Sequence, residues 1–126
     1  MKIYVTHASS FDYQNELYTP LRESGLNKIH NFTLPHEHWK KPFDSQKYIK
    51  ESDLVFAEVS CPSTGEGIEL GWANSYNIPI VCIFKKGTTP SSSLKIISDT
   101  FIEYEKKEDM IKKLHTYLTS IQPPEL

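Results

Sequence analysis

Cysteine is scarce in this chain, with two among 126 residues, Cys61 and Cys82. They share no motif spacing, which argues against a disulfide framework or a thiolate zinc site and predicts two reduced thiols in a cytoplasmic protein. Long apolar runs are also missing. The most apolar stretch, "IPIVCIF" (Ile78 to Phe84), is far too short to span a bilayer. Charge of one sign is lacking as well. Charged residues make up 24% of the chain and the formal net charge is −2. No basic stripe is present, so a binder of nucleic acid polymers is not expected. The opening "MKIYVTHAS" goes straight into a strand pattern, and no signal peptide is expected. Repeats, low-complexity tracts and interdomain linkers are not seen. The expectation is one domain over 1–121 with a frayed tail, "QPPEL", over 122–126. A single core in a chain of this length buries roughly two-thirds of the unfolded surface.

What is present is alternation. Short β-rich runs occur at Lys2 to Thr6, Lys28 to Leu34, Asp53 to Ser60, Ile78 to Phe84 and Thr100 to Tyr104. Helical spacing occurs at Asp12 to Ser24, Asp44 to Ser52, Gly65 to Asn77, Ser92 to Asp99 and Lys107 to Ile121. Pro20 falls inside the first helical stretch and predicts a kink or an early end. The run "DLVFAEVS" is apolar on both faces, as a central parallel strand requires. Five strands alternating with helices predict an α/β three-layer sandwich. It is flavodoxin-like or Rossmann-like, with a five-stranded parallel sheet in the order 2-1-3-4-5. Ligands of such sheets bind beyond the carboxyl ends of the strands, at the switch between strands 1 and 3. Three polar loops lie there: "HASSFD" (His7 to Asp12), "PHEHWKKPFD" (Pro35 to Asp44) and "SCPSTGEG" (Ser60 to Gly67).

The third loop leads into a helix. Ser63 and Thr64 are candidate caps, and Gly65 and Gly67 allow close approach of backbone to a ligand. Free N–H groups at a helix N-terminus attract anions. Glu66 falls in the first turn, where a carboxylate complements the helix dipole. Glu69 lies about one turn in, between apolar Ile68 and Leu70 and close to small Gly71 and Ala73. It faces either the cleft or solvent.

The stretch "DLVFAEVSCPSTGEGIELGWANSYNIPIVCIF" resembles the signature of the nucleoside 2-deoxyribosyltransferase family, in its 2′-deoxynucleoside 5′-phosphate N-hydrolase branch. The matching residues are Asp53, Ala57, Glu58, Val59, Pro62, Ser63, Gly65, Gly67, Glu69, Leu70 and Gly71. The similarity extends more weakly to about Leu118. The resemblance implies the flavodoxin-like fold and a small nucleoside or nucleotide substrate, with no cofactor. It implies that Glu69 is a nucleophile toward C1′ of a deoxyribose. A carboxylate suits that task, because N-glycosidic cleavage passes through an oxocarbenium-like state that an anion stabilises and can trap. Water as acceptor gives a hydrolase, a second base a transferase. The family's acid maps nearest to Asp44, one residue off in spacing, and Asp44 is equally a helix cap. Glu58 is a further candidate in the site, or a structural carboxylate bonded to loop N–H groups. Ser63 matches a phosphate-binding serine. Ser93 lies near a serine that reaches the phosphate of a neighbouring subunit, which implies a homodimer.

The first loop departs from the branch, which has glycines and an arginine where this chain has "THASSFDYQ". Ser9 and Ser10 remain candidate donors to a ligand. This loop and "PLRES" resemble, over a short stretch, Toll/interleukin-1 receptor domains, some of which cleave NAD with a helical glutamate. His7, His36 and His38 raise a metal question, but a four-ligand set is not evident and no metal is expected. Phe11, Tyr13 and Trp39 are either packing residues or an aromatic wall for a base. The alternatives to an N-glycosidase or deoxyribosyltransferase are a non-catalytic nucleotide-binding module and a TIR-like NAD-cleaving or partner-binding domain.

Overall fold

The computed structural model describes residues 1–37 and 44–121. Its five strands are β1 (Lys2–His7), β2 (Asn31–Thr33), β3 (Leu54–Glu58), β4 (Ile80–Lys85) and β5 (Thr100–Tyr104). They form one parallel sheet in the order β2-β1-β3-β4-β5. Strand order and parallel sense are those read from the alternation of elements. All five residues of β3 are buried, which explains its apolar character on both faces.

The helices cover both faces. One layer holds α1 (Thr19–Glu23), α2 (Leu26–Ile29) and α5 (Lys107–Ile121), whose residues Leu21, Leu26, Met110, Leu114 and Leu118 pack with Ile3, Val5 and Phe56. The other holds α3 (Ser45–Lys50) and α4 (Thr64–Ser75), where Ile49, Leu70 and Ala73 pack with Tyr4, Val55 and Ala57. The odd residues of β1 therefore face α1 and α5, and its even residues face α3 and α4.

Several element bounds differ from the sequence reading for local reasons. The stretch Asp12 to Ser24 is not one helix. A wide, π-type turn over Gln14–Tyr18 precedes α1, and Pro20 occupies the first turn of α1, where its missing N–H costs nothing. The strand expected over Lys28 to Leu34 shortens to Asn31–Thr33, because Leu26–Ile29 is helical and buries Leu26. The expected helix over Ser92 to Asp99 is a 3₁₀ segment, Ser92–Ile96. Helix α4 ends in a Schellman motif: Ile78 N–H donates to Ala73 O at 2.9 Å and Asn77 N–H to Asn74 O at 3.1 Å. Asn77 takes the left-handed conformation this needs, with φ 59°. The tail "QPPEL" lies outside the described residues, as do His38 and Trp39.

Two interactions fix the loops at the carboxyl edge of the sheet. Lys85 N–H donates to Ser60 Oγ at 2.8 Å, tying the β3–α4 loop to the end of β4. The Arg22 guanidinium grips Glu37 with two bonds of 2.9 and 2.8 Å and also donates to Phe32 O at 3.2 Å, bracing the segment after β2.

Candidate active site

Helix α4 carries three features of the site. Ser63 is its N-cap, with Oγ accepting from Glu66 N–H at 3.3 Å. Its buried stripe runs through Glu66, Leu70 and Ala73, at helical spacing. Ile68, on the outer side, is 52% exposed. Glu69 sits between these two faces and is half-buried.

The Glu69 side chain turns inward, toward the sheet. Its Oε1 accepts from Thr6 Oγ1 at 3.1 Å and its Oε2 accepts from the Tyr4 hydroxyl. Both partners stand on the α4 side of β1, so the carboxylate bridges helix and strand at the β1/β3 switch point. Burial, and then the negative charge of Glu69, raise the Tyr4 hydroxyl well above its ordinary range, so Tyr4 stays a donor. A carboxylate held by two donors keeps one orientation. Tyr4 and Thr6 were missed in the sequence. Their signal was present: they are the polar-tipped residues on one face of a strand that alternates with Ile3 and Val5.

Glu58, at the end of β3, is 1% exposed. Its carboxylate accepts from the Tyr104 hydroxyl and from Ser60 N–H at 2.6 Å. Burial raises its pKa, while these two donors and the Lys85 charge pull it back. Tyr104→Phe strands one buried oxygen and is expected to lower stability by about 1–3 kcal/mol, measurable by urea denaturation.

Glu66 lies in the first turn of α4, as read from the sequence, and its side chain is buried there. It is 4% exposed, and among the described residues its Oε2 has no hydrogen-bond partner. Burial pushes its pKa up to about 9, with Glu58 and Glu69 adding repulsion, so it is protonated at neutral pH. It lines a cavity of about 450 Å³ between the start of α4 and the 3₁₀ segment. Ser63, Gly67 and Ser93 line the same cavity. A Cβ on Gly65 or Gly67 would meet no atom within 4 Å, so backbone is open to a ligand there.

The remaining candidate residues are distributed around this edge. Asp44 is the N-cap of α3, its Oδ1 accepting from Lys47 N–H at 3.2 Å, and it is exposed. Ser9 and Ser10 are exposed in the turn after β1. Phe11 is packed in the core. His7 lies on the other face of β1. Nδ1–H donates to Ala8 O at 2.9 Å, since a carbonyl only accepts. Its Nε2 then accepts from the Tyr18 hydroxyl at 2.7 Å, whose oxygen accepts from His36 N–H at 3.1 Å. Burial lowers the His7 pKa to about 4, so the ring is neutral. Tyr13 stacks on His7 with ring centres 4.4 Å apart. Among the described residues no group of three His, Cys, Asp or Glu is arranged to hold a metal, and no helix is long and apolar enough to cross a membrane.

The fold comes first. It is shared with a CMP N-glycosidase from Clostridium botulinum, with a TM-score of 0.68, 21% identity and coverage of 91% of this chain and 99% of that one. It is shared too with a conserved protein from Enterococcus faecalis V583, with a TM-score of 0.63, 18% identity and coverage of 93% and 98%. Sequence similarity points to named proteins of one branch. A Syntrophotalea carbinolica protein provisionally named 2′-deoxynucleoside 5′-phosphate N-hydrolase 1 is 32% identical over 80 residues, which are 61% of this chain and 56% of that protein. The mouse (Mus musculus) 5-hydroxymethyl-dUMP N-hydrolase is 32% identical over 81 residues, 60% of this chain and 47% of that enzyme. The human enzyme of the same name is 30% identical over 82 residues, 62% and 47%. The chain thus spans about half the length of the curated relatives it matches. No family model matches it. The resemblance to the N-hydrolase branch of the nucleoside 2-deoxyribosyltransferase family is borne out by these relatives, at modest identity.

Proposed function

We propose that the chain is an N-glycosidase or deoxyribosyltransferase that cleaves the N-glycosidic bond of a (deoxy)nucleoside or its 5′-monophosphate through Glu69. The names of the similar proteins support hydrolysis of nucleotides as the reaction class. The observation that carries the residue assignment is the Glu69 carboxylate itself, turned toward the switch point and held by Tyr4 and Thr6. A Glu69 oxygen attacks C1′ as the C1′–N bond breaks. The bonding pair leaves with the base, which takes up a proton. Asp44, at the start of α3, is the candidate donor of that proton. Water then attacks the glycosyl ester and frees the sugar, or a second base replaces water.

Substrate contacts fall to Ser63, Gly65 and Gly67 at the start of α4, to Ser9 and Ser10, and to Ser93. Glu58 shapes the site from beneath rather than by contact, since its oxygens are taken by Tyr104 and Ser60. A homodimer fits the exposed apolar side chains near α4, where Ile96 is 84% and Ile68 52% exposed. Sedimentation velocity giving a single monomeric species would remove the dimer from this reading.

The testing experiment is a chromatographic base-release screen over nucleosides, deoxynucleoside monophosphates and NAD. Release of free base supports the enzyme. Ligand-induced thermal stabilisation without any release supports the binding module instead. Tyr4→Phe, which removes one donor to Glu69, is expected to lower kcat roughly tenfold with KM little changed. Unaltered kcat in that variant means that the tyrosine does not orient the carboxylate.

A further inference from the structure

The 450 Å³ cavity beside α4 is walled by Val59, Pro62, Leu70, Leu94 and Ile97, with Ser63 and Ser93 at its polar margin. Into this largely apolar space the sequence puts a glutamate. Its neighbours on the buried stripe of α4, Leu70 and Ala73, are the residue types such a position ordinarily holds. Glu66 Oε2 is buried and finds no partner within the described chain. A buried polar atom left without a partner is costly, and such atoms in folded proteins call for an explanation. A ligand that supplies the missing partner is one.

We propose that Glu66 is the hydrogen-bond donor of a binding site in this cavity, and that the site takes an uncharged ring compound bearing a carbonyl or ring-nitrogen acceptor. The inference rests on the nucleoside-directed reading above for its choice of ring compound, and refines it toward a substrate without a phosphate. Protonated, the carboxyl presents an O–H. Burial keeps it so, and the groups that face it add to this. Glu58 on β3 and Glu69 on α4 repel a further negative charge. The Cys82 thiol on β4 is itself pushed up to about 11 by burial, and Glu66 adds to that shift. The 3₁₀ segment contributes only uncharged residues to the lining, and no Lys, Arg or His lines the cavity among the described residues. A phosphate dianion moved there from water would lose its hydration beside Glu66 and meet the N–H groups at the start of α4, with no Lys, Arg or His as counter-charge. A neutral heterocycle loses little hydration and gains a donor.

The probe is 2′-deoxycytidine, compared with its 5′-monophosphate, titrated calorimetrically into the Glu69→Gln chain so that turnover does not intrude. At pH 7 the nucleoside is expected to bind about tenfold more tightly than the monophosphate. Adding Glu66→Leu should weaken nucleoside binding at least about tenfold. Adding Glu66→Gln, whose amide still donates, should keep it within about threefold and guards against a leucine variant that fails to fold. Raising the pH from 7 to 10.5 should weaken binding where Glu66 is present and leave the Glu66→Gln variant unaffected. No detectable binding of the nucleoside, equal binding in Glu66→Leu, or tighter binding of the monophosphate overturns the proposal. If Glu66 governs binding but the native chain releases no base from any substrate, the site stands and the catalytic reading falls. If base release is intact with an unchanged KM in Glu66→Leu, the catalytic reading stands and this site falls.

Discussion

Glu69→Gln is expected to reduce base release by about a thousandfold or more, with stability nearly unchanged. Loss of a covalent nucleophile removes an interaction made only as the C1′–N bond breaks, so the effect falls on kcat more than on KM. Gln keeps the shape of Glu. Its carbonyl oxygen can still accept from Tyr4, and its amide N–H can donate to Thr6 Oγ1, the two partners found here. The site is half-buried rather than sealed, so the exchange leaves no deep cavity. The check has two parts: single-turnover base release by chromatography, and a melting curve. Full activity in a folded Glu69→Gln chain removes the nucleophile assignment. A melting temperature lowered by more than a few degrees would make the residue structural instead.

The sheet was legible because its signals are local. Alternating strands and helices gave the parallel order, and the apolar faces of Leu54 to Glu58 gave the central strand. The cap at Ser63 and the one at Asp44 follow from residue type and position. Partnerships across the fold were not legible. Glu69 meets Tyr4 and Thr6, and Glu58 meets Tyr104, over sequence distances that no window spans. Glu66 shows the limit most clearly. A first-turn position suits a carboxylate near the helix dipole, and that position alone does not tell a buried side chain from an exposed one. The spacing of Glu66 to Leu70 and Ala73 was the available counter-signal, since it puts the carboxyl on the packed stripe. His7 is similar. A histidine at the end of a strand suggests a ligand, yet its ring nitrogens are both used inside the chain.

Glu66→Leu is expected to raise stability, and to raise it more as the pH rises. The folded-state pKa of Glu66 is about 9, against an ordinary value of 4.5. Between those two values the native chain holds a proton that the unfolded chain has released. Unfolding then releases a proton, so native stability falls with increasing pH through that window, by at most about 1.4 kcal/mol per pH unit. Below pH 4.5 both states are protonated and the penalty is absent. Leucine has no such proton and adds apolar burial against Leu70 and Leu94. At pH 8 the variant is expected to be more stable by about 2 kcal/mol, or ~8 °C in melting temperature, allowing for relaxation around the ionised group. Near pH 5 the difference should shrink to that of packing alone. His7 works in the opposite direction at low pH. Its pKa is lowered to about 4, so the native chain binds fewer protons than the unfolded chain between there and 6.5, and stability rises with pH across that range. The difference between variant and native chain cancels this contribution, which makes it the quantity to measure. Denaturant titrations at pH 5, 6.5 and 8 on both chains supply it. A difference that does not vary with pH would mean that Glu66 is already ionised in the folded chain, with a partner for its second oxygen.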